Sequence, residues 1–545
     1  MPDIDIIVIG SGISGLTAAC LLARYGKRVV VCESHTIPGG AAHTFRRRGF
    51  EFDSGPSFYC GLTGAESLNP VKQVLEVIGE SLQTVPYDPL GHYHFPECSF
   101  PVYSNAELYR DEIAKITPQG AREFKRFEER LLPLYEAMRG IPTLALRADW
   151  QLIPVLCGRY LPSLLKMLPN LSILQASVGN VLDSTVNDPW LRRLIDLECF
   201  LLSGLKAHGT IAPEVAFMLG ERSRAGVEYP VGGSGAIVQA LVRGLERWGG
   251  QLMLNCHVEQ ILVETHHKAS ERKVLGVRLK KGEILKAPVV ISSASLWDTY
   301  TQLLNPEDLP PSYRQAALET PAVDSFMHLH LGIHAQGLEN LTGHHVVVHD
   351  TSKDITLPGN TCMISIPSVW DTTLAPEGHH VIHAYTLEPY AEWNRYQHDS
   401  NQQQSETRFL EETGFLEPPQ SINEQYWKRS DEYKQKKREK SQTLYRALEQ
   451  IIPDIRERVV LELIGTPLTH AYYLRRYQGT YGPEIAAGKG MFPGTHTPIQ
   501  GLYRVGDSTM PGIGVPAVAA SGILCANTLV NPHQTAELLN IYKNC

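Results

Sequence analysis

The chain has 545 residues, of which 43% are hydrophobic and 20% charged, as is typical of a globular protein. It carries 50 basic and 58 acidic side chains, a formal charge of −8, which argues against nucleic acid as the main partner because phosphate recognition needs a basic surface. One compact core rarely holds a chain of this length, so two or three sub-structures are expected.

The chain begins with a strand, a glycine turn, a helix and a second strand. These are predicted at residues 4–9, at Gly10, Gly12 and Gly15, at residues 16–26 and at residues 28–33. Glycines in GxGxxG spacing let the backbone approach a pyrophosphate, whose charge the following helix N-terminus attracts. Glu33 ends the second strand, where an acid accepts hydrogen bonds from ribose hydroxyls. Because a glutamate here repels a 2′-phosphate, the pattern predicts a dinucleotide site and disfavours NADP.

A second glycine pair, Gly39 and Gly40, follows this unit after Pro38. Without Cβ atoms, the chain can pass close to another part of the same cofactor. Residues 52–56 then return as a short strand and turn. Since NAD dehydrogenases usually continue with another strand and helix, this arrangement favours FAD.

Residues 150–176 contain several leucines, three prolines and only two charges, Arg159 and Lys166. The prolines interrupt any long helix. Two interpretations stay open. The segment is either a monotopic membrane contact, with both cations facing anionic headgroups and the leucines in lipid, or a buried cap on a substrate tunnel.

The central part of the chain adds further strand and helix patterns. We predict a loop and helix at residues 232–248 and strands at residues 251–256, 257–264, 273–279 and 288–295. In a strand predicted at residues 325–333, His328 and His330 share one face because side chains alternate. Each is interpreted either as a proton donor in a tunnel or as a core or solvent-facing histidine.

Two further runs precede the C-terminal segment. Residues 428–440 mix charges of both signs and predict a solvated helix rather than a basic binding site. Residues 469–483 contain a group of tyrosines and arginines: Tyr472, Tyr473, Tyr477, Tyr481, Arg475 and Arg476. The tyrosines form either an aromatic slot that favours cations or packing under a domain junction, and the arginines would hold the loop or tune a flavin.

The C-terminal segment repeats the nucleotide-binding theme. It predicts a strand at residues 502–505, then Gly506 and Asp507, a turn rich in glycine and proline, and a helix from near Val515. Asp507 can accept a hydrogen bond from a ribityl hydroxyl, and the helix N-terminus stabilises negative charge on a reduced flavin. Residues 510–530 are uncharged and long enough to cross a bilayer, but their prolines and glycines favour a turn and a buried helix.

Neither the cysteines nor the histidines predict a metal site. The ten cysteines are scattered without a CxxC pair, so we expect reduced thiols and no disulfide framework. The histidine pairs at 266–267, 344–345 and 379–380 lack ligand spacing such as HExxH.

The sequence resembles the flavoprotein amine oxidase and phytoene desaturase superfamily. Within it, the likeness is greatest to the carotenoid desaturases and the prolycopene isomerase-like carotenoid isomerases, with the retinol saturases nearby. Five blocks carry the resemblance in the family's order: residues 10–33, 38–56, 229–241, 257–261 and 506–522. Residues 325–333 also resemble a substrate-domain strand of the isomerases.

The resemblance implies an α/β fold: a Rossmann-like FAD-binding domain of glutathione-reductase type with an inserted α+β substrate domain. It implies FAD bound at Gly10, Gly12, Ile13, Ser14, Gly15, Glu33, Gly39, Gly40, Ala41, Val258, Gly506, Asp507, Gly512, Ile513, Gly514 and Val515. Desaturases commonly have an arginine after the paired glycines, whereas Ala41 and Ala42 stand here and arginines follow only at 46–48. No catalytic side chain is identified.

The FAD domain is expected to be discontinuous, comprising residues 1–75, 225–300 and 485–545. Residues 76–224 and 301–484 would form the substrate and membrane-associating domain.

The implied function is FAD-dependent desaturation or cis-trans isomerisation of a hydrophobic polyene at a membrane, with a quinone or O₂ as electron acceptor. A retinol-saturase-like reductase, a flavin amine oxidase and a non-catalytic lipid carrier, such as the Rab GDP-dissociation inhibitors, are the alternatives. The N-terminus lacks a basic signal region. We therefore expect a peripheral protein on the cytoplasmic side of a bacterium, cyanobacteria included, or a trimmed plastid protein.

Overall fold

The computed structural model describes residues 4–265, 272–396 and 430–542. His266, His267, Lys428, Arg429 and Cys545 lie outside these ranges, so the predictions made for them are not addressed below. The described cysteines are all free thiols.

The strands pair into five sheets. In chain order they are β1 (Ile6–Ile9), β2 (Val29–Cys32), β3 (Thr44–Arg47), β4 (Phe50–Asp53), β5 (Thr84–Pro86), β6 (Gly91–Phe95), β7 (Cys98–Val102), β8 (Glu228–Pro230), β9 (Gln251–Met253), β10 (Val258–Thr265), β11 (Arg272–Leu279), β12 (Ile284–Lys286), β13 (Val289–Ser292), β14 (Ser325–His334), β15 (His344–Val348), β16 (Thr361–Ser365), β17 (His379–Glu388), β18 (Val459–Gly465) and β19 (Leu502–Arg504).

The described residues form eighteen α-helices. They are α1 (Ile13–Arg24), α2 (Pro70–Ile78), α3 (Ala106–Ile116), α4 (Pro118–Met138), α5 (Leu152–Arg159), α6 (Leu161–Met167), α7 (Leu171–Leu174), α8 (Val178–Thr185), α9 (Pro189–Ser203), α10 (Ala212–Arg224), α11 (Ser234–Arg247), α12 (Leu296–Thr301), α13 (Pro311–Glu319), α14 (Asp431–Glu449), α15 (Ile455–Arg458), α16 (Pro467–Tyr473), α17 (Val515–Thr528) and α18 (Pro532–Tyr542).

The first sheet has five strands in the order β19-β13-β1-β2-β9, and every pairing is parallel. Its central strands read IIVI and VVVC and are buried along their whole length. Such continuous apolar runs are typical of parallel strands covered on both faces. Helices α1, α11 and α17 pack against this sheet. The predicted Rossmann-like fold is therefore confirmed.

The second sheet has seven strands in the order β18-β14-β17-β16-β15-β6-β7. All of its pairings are antiparallel except that between β15 and β6. Strand β14 is buried from Ser325 to Ile333, because α14 and α15 contribute to the core on one face while the β3-β4 hairpin covers His330 and Gly332 on the other. The helix predicted at residues 428–440 is observed from Asp431 and carries mostly exposed charged side chains.

The parallel sheet draws its strands from residues 6–32, 251–253, 289–292 and 502–504, and the seven-stranded sheet from residues 91–102, 325–388 and 459–465. The discontinuous division into domains made above stays a proposal. The β3-β4 hairpin lies between the two sheets, since Phe45 and Phe52 pack edge-on against His330 of β14 with ring centroids 5.2 and 5.4 Å apart.

Residues 150–176 form three short helices, α5 to α7, and neither α5 nor α6 has a fully buried residue. Large apolar side chains are exposed along the segment: Trp150, Ile153, Leu161, Leu165, Leu168 and Leu171. The buried-cap interpretation is therefore wrong for α5 and α6. The side chain of Arg159 donates to the carbonyl of Ala536 and to the side chain of Asn540. This cation is therefore directed at the protein, whereas the membrane-contact interpretation expected it to face lipid headgroups.

Across the described ranges, no helix combines the length and apolar character that a bilayer crossing requires. The uncharged stretch at residues 510–530 contains a turn followed by α17, which buries eight of its residues: Ala519, Ala520, Ser521, Gly522, Ile523, Cys525, Ala526 and Asn527. The predicted turn and buried helix are confirmed.

Candidate functional site

The glycine turn after β1 is closed tightly against the start of α1. Gly10 has a φ of 90°, which favours glycine. A Cβ atom on Gly15 would lie 2.3 Å from the Gly10 carbonyl oxygen. Gly12 is the N-cap of α1, and no side chain caps the helix. The first turn of α1 therefore keeps its amides open to a bound anion.

Glu33 fixes this turn from the end of β2. Its carboxylate accepts hydrogen bonds from the Ser11 N–H at 2.9 Å, the Ser11 hydroxyl at 2.6 Å and the His35 N–H at 2.7 Å. Glu33 therefore lies beside the glycine turn, as its position in the sequence predicted. Ser11 was not identified from the sequence, because the position between two glycines of the motif accepts many residue types.

The second glycine pair lies directly on the first turn. Gly39 forms an isolated bridge with Gly12 and donates its N–H to the Ser11 carbonyl at 3.1 Å. A Cβ atom on Gly40 would lie 3.3 Å from the Gly12 Cα atom. Ala41 follows, and its carbonyl accepts the Ser54 hydroxyl at 3.0 Å. The structure therefore brings together the two predicted cofactor segments near the N-terminus.

The C-terminal segment closes on the same turn. Gly506 lies next to Ser14, whose Oγ would be 3.3 Å from a Cβ on that glycine. Ser14 also shares a hydrogen bond of 2.9 Å with Ser293, just after β13. A Cβ on Gly522 would lie 2.6 Å from the Ser14 carbonyl oxygen, so α1 and α17 touch. The N-cap of α17 is Gly514, again without a side-chain cap. Two open helix N-termini thus start at adjoining turns.

Asp507 lies in this second turn and pairs with Arg476, both side chains being largely buried. The backbone N–H of Tyr477 donates to Asp298 at 2.9 Å, which fixes the adjacent loop. A Cβ on Gly482 would lie 2.9 Å from Ile513. The loop at residues 476–482 therefore packs on the turn at residues 507–513, and the Arg476–Asp507 pair joins the two.

Val258 is buried at the start of β10. The segment that leads to Val258 runs beside the end of β2, because the backbone N–H of Cys256 donates to the Glu33 carbonyl at 2.7 Å. Arg46, one of the arginines that follow the paired glycines, pairs with Glu51 at 2.6 Å, and its side chain is 76% exposed.

A histidine stack lies where these turns meet the seven-stranded sheet. His328 of β14 shares a 2.9 Å hydrogen bond with His383 of β17, between Nδ1 and Nε2. The His328 ring lies 4.2 Å from that of His470, nearly parallel to it, and His383 lies 4.3 Å from His330 in the same way. All four side chains are buried. The prediction that His328 and His330 share one face is confirmed.

The stack is uncharged near neutral pH. Burial lowers the pKa of His330 to about 4, and burial together with the nearby Arg476 lowers the pKa of His470 to about 3. Burial and the neighbouring imidazoles hold the pKa values of His328 and His383 well below the usual range. Each ring therefore keeps one donor and one acceptor nitrogen.

The stack contacts the β3-β4 hairpin on one side and, on the other, the loop that packs on the turn at residues 507–513. His330 Nε2 lies 3.2 Å from the Asp53 carbonyl oxygen at the end of the β3-β4 hairpin. The Asp53 carboxylate accepts the Ser234 N–H at 2.8 Å, which fixes the hairpin to α11. On the other side, the Tyr481 hydroxyl lies 3.5 Å from His328 Nε2. Tyr481 precedes Gly482, which packs on the second turn.

The four tyrosines of residues 469–483 do not line one slot. Tyr477 stacks on Trp297 with ring centroids 5.0 Å apart, and Tyr472 packs edge-on against Tyr473. Only Tyr481 of this group is seen against the histidine stack. His383 and His470 were missed from the sequence. Because side chains alternate along a strand, His383 and Tyr385 lie on the same face of β17. No local sequence pattern indicates that β17 pairs with β14.

A cavity of about 160 Å³ opens beside the stack, between β6, β15, β16 and β17 and helices α9 and α10. Tyr385 lines it and packs against His383 with centroids 4.9 Å apart. Ser57, which follows the hairpin, lines it as well. Its other walls are mostly apolar, as is usual for a site that takes a small hydrophobic ligand.

These features define a dinucleotide-binding α/β protein with a hydrophobic cavity next to the nucleotide site. Comparison with known proteins narrows the class. Residues 13–530 match the family described as flavin containing amine oxidoreductase. The chain is 33% identical to prolycopene isomerase 1, chloroplastic, of an Oncidium hybrid cultivar, over 99% of this chain and 85% of the relative.

Two further likenesses are more distant. The chain is 27% identical to a phytoene desaturase (neurosporene-forming) of Cereibacter sphaeroides, over 95% of this chain and 93% of the relative. A solved oxidoreductase from Methanosarcina mazei has a TM-score of 0.55 at 18% identity, covering 95% of this chain and 99% of the other, which shows the fold alone.

The protein belongs to the flavin containing amine oxidoreductase family. The predicted family and the predicted cofactor, FAD, are confirmed by this membership, and the chain is an FAD-dependent oxidoreductase. The residues fit FAD. The glycine turns that precede α1 and α17 adjoin and leave room for phosphate, and neither helix has a side-chain cap at its N-terminus.

Proposed function

We propose that this protein acts on a carotenoid-type polyene with FAD, and that it catalyses cis-trans isomerisation in preference to desaturation. The observation that carries this proposal is the uncharged histidine stack, which lies between the two cofactor segments and a mostly apolar cavity. The preference for isomerisation is supported by the prolycopene isomerase relative, which is more similar than the desaturase.

We assign FAD to the sixteen residues named from the sequence. The ADP part would lie at the turn of Gly10, Gly12 and Gly15 with Glu33, and the flavin part at the turn from Gly512 to Val515. When bound, FAD supplies an acceptor and donor of hydride or electrons, which side chains cannot supply for an unactivated carbon chain. The Asp507–Arg476 pair would hold the second turn in place.

The chain itself contributes proton handling and exclusion of water. His328 and His383 share one hydrogen between Nδ1 and Nε2, so a proton can be held at either ring. The Nδ1 atom of His383 is buried and has no hydrogen-bond partner among the described residues. It is therefore the proposed site that, once protonated, gives a proton to a polyene carbon and takes it back after rotation about the bond, so that the mass of the polyene does not change. Tyr385 lines the cavity, packs against His383 and would orient the chain.

The apolar segment α5–α7 is proposed to dock on a lipid bilayer. Six large side chains are exposed there, from Trp150 at 75% to Leu161 at 49%, more than a monomer usually leaves together in water. Short helices interrupted by prolines lie at an interface rather than crossing it. A polyene is stored in lipid, so a bilayer fits this surface better than a protein partner does. The proposed location is peripheral, on the cytoplasmic face of a bacterial membrane or in a plastid.

Liposome flotation tests this docking. The variant Ile153→Ser/Leu165→Ser/Leu168→Ser should lose most of its flotation. The matched control Leu275→Ser/Ile284→Ser alters exposed apolar residues of the β10-β11-β12 sheet and should float like the unchanged protein. Equal flotation of all three proteins would contradict the proposal.

Anaerobic incubation tests the reaction. The purified protein is given liposomes carrying cis or all-trans carotenoids, with oxidised or reduced FAD, and the products are separated by chromatography. We expect changed double-bond geometry at constant mass. A product two hydrogens lighter, with its electrons passed to the oxidised FAD, would indicate desaturation, and one two hydrogens heavier, reduced by the reduced FAD, a saturase. No change in any polyene, or a well-folded protein that takes up no FAD, would refute the proposal.

A further inference from the structure

The cavity beside the histidine stack contains a buried charged group that a hydrocarbon does not need. Its helical wall is formed by α9 and α10, and most of the lining is apolar: Leu201, Leu202, Met218, Val346, Met363 and Ile364. Glu198 of α9 and Arg222 of α10 line the same cavity. Their side chains are only 6% and 4% exposed.

The two side chains are held in place by their neighbours. Arg222 Nη1 donates to Glu198 Oε1 at 3.2 Å, and the Tyr109 hydroxyl donates to the same oxygen at 2.9 Å. The guanidinium also lies 4.9 Å from the centre of the Tyr109 ring. Neither side chain can therefore turn away from the cavity without losing these bonds.

Much of their hydrogen-bonding capacity remains unused. A guanidinium has five N–H groups, but Arg222 makes a single hydrogen bond within the described part of the chain. The second carboxylate oxygen of Glu198 accepts none from those same residues. Arg222 and Glu198 have no atom that is both fully buried and without a partner in the residues that the structure describes, so their remaining polar atoms open to the cavity, where a polar group of a ligand can take the place of water.

The charges around the cavity already cancel. The Glu198–Arg222 pair lies near a second pair, Arg110 and Glu128, whose charged atoms are 2.6 Å apart. Two cations and two anions sum to zero. A ligand carboxylate would add an unpaired negative charge, whereas an uncharged group would not.

We propose that this cavity binds a long apolar ligand that ends in a hydroxyl group. The hydroxyl would donate to the free oxygen of Glu198 and accept from Arg222, while the apolar walls surround the chain. A ketone would use Arg222 alone, and a hydrocarbon would use neither. The inference rests on the proposed function only in taking the apolar part of the ligand to be a polyene. It narrows the proposed substrate class from polyenes in general to polyenes that bear a hydroxyl group.

Three matched polyenes test the proposal on the FAD-loaded protein: β-carotene without oxygen, β-cryptoxanthin with one hydroxyl and echinenone with one ketone. Binding is measured by quenching of tryptophan fluorescence in detergent. We expect β-cryptoxanthin to bind about ten-fold more tightly than β-carotene, with echinenone between them, as expected for a hydrogen bond to charged groups. Equal affinities in the unchanged protein would overturn the proposal.

The variant Glu198→Leu/Arg222→Met removes both charges and the hydrogen-bonding atoms of the pair together, since loss of one charge alone would leave the other buried and unpaired. It should abolish the preference for the hydroxyl. Met218→Leu, at an apolar position of the same wall, should keep it. Far-ultraviolet circular dichroism and flavin absorbance check that each variant is folded. A preference that survives the double substitution in folded protein would overturn the assignment.

Dodecan-1-ol and dodecane, measured in the same way, separate this inference from the proposed function. If dodecan-1-ol is preferred while no carotenoid binds, the alcohol subsite stands and the polyene proposal fails. If neither pair shows a preference, the subsite fails whatever the reaction assay gives.

Discussion

Gly15 is the residue at which a single methyl group has the greatest effect on the glycine turn. In Gly15→Ala the new Cβ would lie 2.3 Å from the Gly10 carbonyl and 3.2 Å from Ser293. We expect a loss of stability of about 1–3 kcal/mol and of most bound FAD, because the turn must open. The ratio of absorbance at 450 and 280 nm measures the flavin. Gly158→Ala, which meets nothing within 4 Å, should leave both values unchanged.

His383 is the single residue to which the proposed proton transfer is assigned. Replacement by asparagine removes the shared hydrogen with His328 and the unpartnered Nδ1 atom. We expect turnover of the polyene to fall about 10²–10⁴-fold, the usual contribution of a positioned acid or base, while flavin absorbance is unchanged. His379→Asn, at the first residue of the same strand, is the control. Full activity of His383→Asn would remove this residue from the mechanism.

His330 gives a stability prediction with a defined sign. Burial lowers its pKa from 6.5 to about 4, so the unfolded state binds the proton first as the pH falls. The stabilisation is fully present above about pH 6.5 and is lost toward pH 4. The stability difference between the unchanged protein and His330→Gln should therefore shrink by about 1.4 kcal/mol per pH unit within that window. Urea denaturation at several pH values measures it, and parallel curves would contradict it.

Among the structural elements, the β3-β4 hairpin depends on one small residue of β14. A Cβ on Gly332 would lie 2.7 Å from two ring atoms of Phe50. Gly332→Ala should destabilise the protein by about 1–3 kcal/mol, because the ring cannot shift within a packed core. Phe50→Leu removes the clashing ring atoms. The double variant should therefore lose less than the sum of the two single losses, which a double-mutant cycle by chemical denaturation measures. Simple additivity would show that the hairpin does not rest on this contact.

Among the helices and strands, those with a characteristic pattern in their own sequence were predicted correctly. The strand, turn and helix around Gly10 and the α17 helix were found because glycine spacing and apolar runs are local. The face shared by His328 and His330 was found because alternation needs only one strand. The stack itself was not predicted, since His383 and His470 join it through pairing of β14 with β17 and packing of α16. Such register depends on distant parts of the chain.

For the molecule as a whole, the proposed cofactor site joins segments from both ends of the chain. Ser14, Ser293 and Gly506 meet at one point, so a ligand bound there stabilises only the assembled fold. Added FAD should raise the melting temperature of the apoprotein, by an amount equivalent to about 2.7 kcal/mol at one hundred times its Kd. Differential scanning calorimetry at graded FAD concentrations measures the shift. A melting temperature independent of FAD would contradict a site shared by the two ends.

The position of β1 at the centre of the parallel sheet affects synthesis of the protein. Its partner β2 emerges from the ribosome almost at once, but its other partner, β13, is made only when residue 289 has been reached. Until then one edge of a fully apolar strand has no backbone partner, which is the situation that promotes aggregation of nascent chains. We expect the yield of soluble protein to depend on chaperones that protect the first strand while the central half of the chain is translated.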